Sequence, residues 1–112
     1  MSAECVFCKI IDKTIPAAIV AENDDVIVIQ DRAPKAPVHY LIIPKKHTST
    51  IVSMTADELP LAQALFAMAQ QLSKALPGNG DFRFIINNGP GVGQSVFHLH
   101  AHFLAGKKMA DF

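Results

Sequence analysis

Histidine occupies every second position near the end of the chain, and apolar residues fill the positions between. The histidines are His98, His100 and His102, and the apolar residues around them are Phe97, Leu99, Ala101 and Phe103. Strict alternation is typical of a β-strand with one buried face, in which side chains at every second position point the same way, about 6.6 Å apart. The pattern therefore predicts a strand over residues 98–104 with three imidazoles in a row on one face.

The chemistry of imidazole makes this row a candidate reactive site. Near neutral pH an imidazole can act as a nucleophile, as an acid or base, and as a metal ligand. A solvent-facing edge strand would accept any polar residue, so three identical titratable side chains argue against that simpler interpretation. In phosphoryl or nucleotidyl transfer, one neutral imidazole can attack phosphorus while a neighbouring one donates hydrogen bonds to the phosphate. We therefore expect a phosphoryl or nucleotidyl transfer site.

A glycine-rich segment leads directly into the histidine run. Residues 88–95 read Asn-Gly-Pro-Gly-Val-Gly-Gln-Ser, and glycine lets backbone N–H groups approach an anion closely. Gln94 and Ser95 add side-chain donors. The segment is not a P-loop, because it lacks the Gly-Lys-Ser/Thr signature and no helix is expected after it. By itself it would be an ordinary connection between strands, but next to the histidines it favours phosphate binding.

Two further features each leave alternatives open. Cys5 and Cys8 form a Cys-x-x-Cys pair, which could be half of a zinc site, a redox pair or two small buried residues. A tetrahedral zinc site needs two more ligands, for which His47 and His98 are candidates. Asp31 follows an apolar run and precedes a proline-bearing loop, where it could cap a turn or accept hydrogen bonds from ribose hydroxyls.

Length and charge restrict the class of protein. The 112 residues suffice for one domain, 1–112, with one core. The formal net charge is zero and Arg32 and Arg83 are the two arginines, so no basic patch points to nucleic acid as a partner. No apolar stretch approaches the about 18 residues of a membrane span, and no signal-peptide pattern is present. We expect a soluble, cytoplasmic protein that binds neither nucleic acid nor membranes.

Apolar periodicity and turn residues predict an α+β fold. Thr55 and Glu58 form a capping box, after which apolar residues keep helical spacing to the Pro-Gly pair at residues 77–78. Residues 5–11 are expected to form either a short turn or one helical turn. Strands are predicted at residues 19–22, 26–30, 39–43, 82–87 and 98–104. The expected architecture is an antiparallel sheet of about five strands with one long helix.

The run from His98 to Leu104 resembles the His-φ-His-φ-His-φ-φ motif of the histidine triad (HIT) superfamily, where φ is an apolar residue. The likeness covers nearly the whole chain. The chain resembles the compact Hint branch of the superfamily in segments 7–11, 15–17, 36–39, 43–47 and 93–96. The resemblance implies a HIT-like homodimer whose two sheets join into one. It also implies a phosphoramidase: a hydrolase or transferase that cleaves adenosine or other purine 5′-phosphoramidates and related AMP conjugates. The reaction would pass through a covalent nucleotidyl-histidine, release AMP and need no catalytic cofactor.

The resemblance further implies roles for individual residues. The catalytic positions are His100 as nucleophile, His102 as phosphate ligand and leaving-group assistant, His98 as support, and His39 as the residue that orients the catalytic imidazole. The phosphate-binding positions are Asn87, Gly93, Gln94, Ser95, His100 and His102. The nucleoside-binding positions are Phe7, Ile10, Ile29 and the stem of Arg32 for the base, and Asp31 for the ribose.

The resemblance also bears on the cysteines. Relatives with a Cys-x-x-Cys pair bind zinc at positions that match Cys5, Cys8, His47 and His98. Such a site is expected to be structural, because four protein ligands leave no open coordination position.

Three points stay open. Arg32 departs from the family pattern, which has an apolar residue after the ribose carboxylate, so base preference is undetermined. One alternative is a Fhit-like dinucleoside polyphosphate hydrolase, which substrate comparison discriminates. The other is a non-catalytic nucleotide-binding partner protein, which tight binding without turnover would favour.

Overall fold

Five antiparallel strands form one sheet, and a long helix packs on it, which confirms the predicted α+β class. The structure, a computed structural model, describes residues 5–111. The strands are β1 (Ile19–Glu22), β2 (Val26–Gln30), β3 (Val38–Pro44), β4 (Arg83–Ile85) and β5 (Ala101–Ala105), in the spatial order β1-β2-β3-β5-β4. The helices are α1 (Val6–Ile11) and α2 (Pro60–Lys74). Among the residues described, no helix is long and apolar enough to cross a membrane.

The central strands are buried on both faces of the sheet. In β2, Val26 and Val28 pack on the α2 side, whereas Ile27 and Ile29 pack on the α1 side. All four are at most 4% exposed, which explains why β2 is a continuous apolar run. The six-residue α1 packs over β2 and β3. His102 of β5 and Ile85 of β4 pair with each other and line a cleft.

Helix α2 buries one apolar stripe against the sheet. Its buried residues are Leu65, Met68, Ala69 and Leu72, which follow the i, i+3, i+4, i+7 spacing of a single helix face. The predicted capping box is present, since the Glu58 carboxylate accepts the Thr55 N–H at 3.0 Å. A 3₁₀ turn (Ala56–Glu58) follows, and the α-helix begins at Pro60, where the missing N–H of proline costs nothing.

Strand β5 begins later than the alternation predicted. Only the last of the three histidines, His102, lies in β5, and the other two lie in the segment before it. Continuing the β3–β5 register would place Pro44 opposite Leu99. Proline has no N–H to donate, and the Leu99 N–H donates instead to the Thr48 carbonyl at 2.6 Å. The ladder therefore stops before it reaches the first two histidines.

The alternation of faces nevertheless extends back through the histidines. Leu99 joins the α2-side core with the odd-numbered apolar residues of β5, while Phe7 of α1 contacts the rings of His98 and His100 on the other face. Phe97, which was predicted to back the row, is 51% exposed because the chain bends at residues 96–98. β4 is also shorter than the predicted 82–87, and β3 is one residue longer at each end than predicted.

Candidate active site

His100 is a buried imidazole whose second nitrogen is set up to be a nucleophile. The residue is 8% exposed, and its Nδ1 donates to the His98 carbonyl at 2.8 Å. In a neutral ring, a donating Nδ1 leaves the lone pair on Nε2. Burial lowers the pKa of His100, opposed by the His98 carbonyl and the Asp31 carboxylate. The neutral, nucleophilic form is therefore favoured near pH 7.

His102 lies beside His100 but has the opposite tautomer. The two ring centroids are 5.3 Å apart. His39 Nδ1 accepts the Lys35 backbone N–H at 3.0 Å, so the neutral His39 ring carries its hydrogen on Nε2. That Nε2 is 2.9 Å from His102 Nδ1 and donates to it. His102 therefore carries its own hydrogen on Nε2, as a hydrogen-bond donor.

The environment of His102 keeps this donor neutral. Burial first, and then the charges of His100 and His39, lower the pKa of His102 to about 4, with Asp31 acting in the opposite direction. Two imidazoles of one sequence motif thus have complementary roles: His100 offers a lone pair and His102 offers a hydrogen.

A cleft of about 260 Å³ lies in front of His102. Its lining residues are Asp31, Ala33, Lys35, His39, Ile85, Asn87, His102 and Leu104. The structure thus brings together His102, Asn87 and Asp31, which the sequence assigned to the leaving-group, phosphate and ribose sites. The Asp31 side chain also makes the turn contact weighed as its alternative role, since Oδ1 accepts the Ala33 N–H at 2.8 Å.

The side chain of Gln94 holds the glycine-rich loop together, which corrects the prediction that it donates to phosphate. Gln94 is 4% exposed. Its amide nitrogen donates to the Ser49 carbonyl at 2.8 Å and to the Val96 carbonyl at 3.1 Å, and its oxygen accepts the Gly89 N–H at 2.8 Å. Because both donor and acceptor are committed inside the protein, this side chain is not available to a phosphate.

Gly93 and Ser95 are the other two phosphate ligands predicted in the loop. The Gly93 N–H donates to the Pro90 carbonyl at 3.2 Å, and the φ of +110° at residue 93 is one that glycine adopts readily. Ser95 lines a second cleft, of about 410 Å³, together with Cys5 and His47. The structure therefore places Ser95 and Asn87 in the linings of different clefts.

Three of the predicted base-pocket residues form an apolar cluster that reaches His100 through Phe7. Phe7, Ile10 and Ile29 pack in one cluster between α1 and the sheet and are 4 to 7% exposed. The Phe7 ring stands edge-on to His100, with centroids 5.0 Å apart. Arg32, by contrast, is exposed. Helix α1 thus supplies an apolar wall directly beside the reactive imidazole.

The ligand atoms of Cys5, Cys8, His47 and His98 all lie within 4.8 Å of one another. Cys5 Sγ is 3.4 Å from His98 Nδ1, Cys8 Sγ is 3.3 Å from His47 Nδ1, and the two Nδ1 atoms are 3.1 Å apart. Tetrahedral zinc, with Zn–S of about 2.3 Å and Zn–N of about 2.0–2.1 Å, implies ligand separations of about 3.3–3.8 Å. The four predicted ligands therefore fit a tetrahedral cation.

The protonation states of His98 and Cys8 also favour a cation in this cysteine–histidine cluster. His98 Nε2 donates to the Pro44 carbonyl at 2.7 Å, which leaves a lone pair on Nδ1. Burial lowers the pKa of His98 to about 4. Burial, followed by the neighbouring Cys5, raises the pKa of the Cys8 thiol to about 11, so a thiolate here needs a cation beside it.

A second group of metal-type ligands, Asp31, His39 and His102, does not fit a metal. Their ligand atoms also lie within 4.8 Å of one another. However, His39 Nδ1 accepts the Lys35 N–H, so Nε2 carries the hydrogen and has no lone pair for a cation. We interpret this group as a hydrogen-bonded pair of histidines with the Asp31 carboxylate beside it.

Sequence reasoning missed the contact between His39 and His102. Part of the signal for this group of residues lies in the register of β2 against β3. Gln30 pairs with Tyr40 across β2 and β3. The next pair outward is Asp31 with His39, and the Asp31 N–H donates to the His39 carbonyl at 2.9 Å. Pairing β2 with β3 across the 31–38 loop would have placed Asp31 beside His39, whereas the contact of His39 with His102 depends on the β3–β5 register.

Comparison with known proteins agrees with this site. A family model described as "Scavenger mRNA decapping enzyme C-term binding" matches residues 4–112. An uncharacterised HIT-like protein of Synechocystis is 43% identical over 107 residues, which cover 96% of this chain and 94% of the relative. Protein HitA of Neisseria gonorrhoeae is 38% identical over 100 residues, which cover 89% and 94%. The chain therefore belongs to the histidine triad superfamily.

Solved structures support the same assignment. A HIT family hydrolase from Legionella pneumophila has a TM-score of 0.89 and 38% identity, covering 96% of each chain. A histidine triad protein from Clostridium difficile has a TM-score of 0.95 and 35% identity, covering 100% of this chain and 98% of the other. A zinc-bound histidine triad family protein from Mycobacterium smegmatis has a TM-score of 0.81 and 29% identity, covering 93% and 76%. This chain has the fold that is typical of HIT family hydrolases.

Proposed function

We propose that this protein cleaves purine nucleoside 5′-phosphoramidates, such as adenosine 5′-phosphoramidates, and related AMP conjugates. The observation that carries the proposal is the tautomer of His100. Its Nδ1 hydrogen is donated to the His98 carbonyl at 2.8 Å, which leaves the Nε2 lone pair for attack on phosphorus. A neutral donor, His102, lies beside it, and the apolar wall of α1 stands next to it.

The reaction has two in-line steps. His100 Nε2 attacks the α-phosphorus and the P–N bond breaks. The departing nitrogen takes up one proton from solvent and leaves as the neutral amine. Water then attacks the nucleotidyl-His100 intermediate and releases the nucleoside monophosphate, a proton and neutral His100. His102 donates its Nε2 hydrogen to the phosphate group during both steps, a preorganised interaction of the kind that commonly stabilises transition states by several kcal/mol.

Steady-state kinetics of the His100→Ala variant tests this role. With an adenosine 5′-phosphoramidate of an aromatic amine as substrate, we expect kcat to fall by about a thousandfold or more, because the nucleophile is lost. The affinity for AMP, measured by calorimetry, is expected to change little. The exposed Gln71→Ala variant of α2 serves as a matched control and should retain wild-type rates. A His100→Ala variant with even a tenth of the wild-type turnover would contradict the role of His100.

Diadenosine polyphosphates discriminate the main alternative. A dinucleoside polyphosphate hydrolase would use the same nucleophile, so the His100→Ala result alone does not separate the two activities. We expect kcat/KM for the phosphoramidate to exceed that for diadenosine triphosphate. The reverse order would favour the Fhit-like alternative, and tight AMP binding without turnover of either substrate would favour a binding protein.

We also propose that zinc binds Cys5, Cys8, His47 and His98 as a structural centre. The four donors have tetrahedral spacing, and one HIT structure similar to this chain is zinc-bound. When bound, zinc would stabilise the two thiolates and supply no reaction step, because four protein ligands complete its coordination. His98 would then link the metal centre to His100 through its carbonyl.

A homodimer through β4 completes the proposal. β4 is at one end of the sheet and, within the described residues, pairs with β5 alone. Phe66 of α2 is 60% exposed and packs edge-on against Phe84 of β4, with centroids 5.6 Å apart. Pairing two β4 edges would join the sheets and cover this apolar region. Sedimentation equilibrium should give twice the chain mass, and a monomer at all micromolar concentrations would contradict the dimer.

A further inference from the structure

The two carboxylate oxygens of Asp31 face different partners. Oδ1 accepts the Ala33 N–H at 2.8 Å. Oδ2 lies 3.3 Å from His39 Nε2 and 4.0 Å from His102 Nδ1. The Asp31 side chain is 19% exposed and that of His39 is 4% exposed. The carboxylate therefore lies at the edge of the cleft and reaches the histidine pair behind it.

The backbone fixes Asp31 in this place. Its N–H donates to the His39 carbonyl at 2.9 Å, which extends the β2–β3 ladder one residue beyond the Gln30–Tyr40 pair. The turn bond to Ala33 holds the side chain from the other direction. With both the main chain and one oxygen held, the second oxygen stays directed towards His39.

The geometry points to Asp31 as a positioning residue for His39 and His102, in addition to any contact with ribose. His39 has one hydrogen on Nε2, which lies within reach of both Asp31 Oδ2 and His102 Nδ1. An ionised carboxylate only accepts, so it holds that hydrogen on Nε2. The Lys35 N–H on the opposite nitrogen completes the constraint, and the His39 ring has one tautomer and one orientation.

The orientation of His39 in turn affects His102. A fixed donor on His39 keeps the hydrogen of His102 on Nε2, where it is available to substrate. The negative charge of Asp31 also reaches both imidazoles, since it opposes the lowering of the pKa of His100 and of His102. The kinetic consequence rests on the proposed function, whereas the tautomers of His39 and His102 do not.

The Asp31→Asn variant separates the two roles of Asp31 with little change in shape. Ala33 and His39 face different oxygens of the carboxylate, and an amide has one oxygen, so it cannot present an oxygen to both. If the oxygen keeps the Ala33 bond, the amide NH₂ meets the Nε2 hydrogen of His39, and two donors face each other. We expect His39 to move its hydrogen to Nδ1 or to rotate. Asp24→Asn, in the exposed β1–β2 turn, is the matched control.

Nitrogen NMR of the histidine rings provides a readout that needs no catalysis. In the wild-type protein and in Asp24→Asn, His39 and His102 are expected to show a protonated Nε2 and an unprotonated Nδ1 near pH 7.5. In Asp31→Asn, we expect the His39 signals to shift towards the other tautomer or towards an average of the two. Unchanged tautomers of both histidines in a folded Asp31→Asn variant would overturn the inference.

Kinetics with truncated ribose provides the second readout. Adenosine 5′-phosphoramidate is compared with its 2′,3′-dideoxy analogue, which has no hydroxyl for Asp31 to hold. We expect Asp31→Asn to lower kcat about tenfold or more on both substrates. A loss confined to KM of the ribose substrate, absent with the dideoxy analogue, would overturn the positioning role. If the wild-type protein turns over neither substrate, the proposed function fails and the NMR result alone decides the inference.

Discussion

At the scale of single residues, neighbours assign different roles to chemically identical side chains. His100 donates from Nδ1 to a backbone carbonyl and keeps its Nε2 lone pair, whereas His102 accepts at Nδ1 from His39 and keeps its Nε2 hydrogen. His98 donates from Nε2 to the Pro44 carbonyl and keeps its Nδ1 lone pair for a metal. Hydrogen bonds to each ring therefore determine which nitrogen can attack, donate or ligate.

The depressed pKa of His102 predicts a specific pH dependence of stability. The pKa is about 4 in the folded protein and about 6.5 in an unfolded chain, so the unfolded state binds the extra proton between these values. The free energy of unfolding should therefore fall as the pH decreases from about 6.5 towards 4, by up to about 1.4 kcal/mol per pH unit from this group. At pH 7 this contribution is fully present.

Urea unfolding at pH 7, 6 and 5 measures this effect. We expect the His102→Gln variant to lose part of the decline in stability that the wild-type protein shows on acidification. The comparison isolates His102, because the other histidines are present in both proteins. Equal pH slopes for the two proteins would contradict the assigned neutral state of His102.

The same scale shows what the sequence could and could not predict about the site. Spacing and resemblance pointed to His39, His102, Asp31 and Asn87, which line one cleft, and to the four residues of the cysteine–histidine cluster. They did not give the pairing of His39 with His102, because that contact depends on a strand register that spans 63 residues of sequence. They also misassigned Gln94, since sequence shows which donors a loop has but not which partners already occupy them.

At the scale of elements, the side chains of Gln94 and Asn88 hold the glycine-rich loop in place. Gln94 joins the Gly89 N–H to the carbonyls of Ser49 and Val96, and the side chain of Asn88 accepts the Ile51 N–H at 2.8 Å. The loop that leads into the histidines is therefore tied to the segment before α2. These hydrogen bonds hold the loop in a fixed position relative to the histidines that follow it in the chain.

The Gln94→Ala variant should destabilise the protein measurably. It removes three hydrogen bonds and leaves the half-buried backbone groups of Ser49, Gly89 and Val96 without these partners, for which about 1–3 kcal/mol is expected. Gln71→Ala, on the exposed face of α2, controls for the change of residue type. Chemical unfolding measures the difference. A loss no larger than that of the control would show that the loop does not depend on Gln94.

Elements whose signal is local were predicted most closely. The β1–β2 hairpin has the predicted bounds, and α2 follows the predicted capping box, because turn residues, capping and periodicity are all encoded within a few positions. The predicted start of β5 was wrong, because the position where pairing begins depends on Pro44 in a strand distant in sequence and on the Thr48 carbonyl. The alternation correctly predicted which face each residue of β5 occupies but not where pairing begins.

At the scale of the whole molecule, the sheet separates a packing face from a reactive face. Helix α2 covers one face, and α1, the cysteine–histidine cluster and the cleft share the other. The cluster joins the N-terminal segment, the chain after β3 and the histidine run. A metal bound there would cross-link three distant parts of the chain around the reactive face.

Metal removal tests this cross-link. We expect purified protein without a His-tag to contain about one zinc per chain, and we expect a chelator to lower the melting temperature. A ligand that binds only the folded state adds about 4 kcal/mol when it is present at a thousand times its Kd. The Cys8→Ser variant should lose both the zinc and the effect of the chelator. No zinc in the protein, with both thiols free to react, would contradict the proposed centre.

The central claim is that His100 becomes covalently nucleotidylated, and intact mass after rapid quenching tests it most directly. The protein is mixed with an adenosine 5′-phosphoramidate, quenched in milliseconds to seconds, and analysed whole and after digestion. We predict an added mass of one AMP group, mapped to His100, that decays as free AMP accumulates and is absent from His100→Ala. Correctly folded protein that forms AMP without an adduct, or carries the adduct on another residue, would contradict the account.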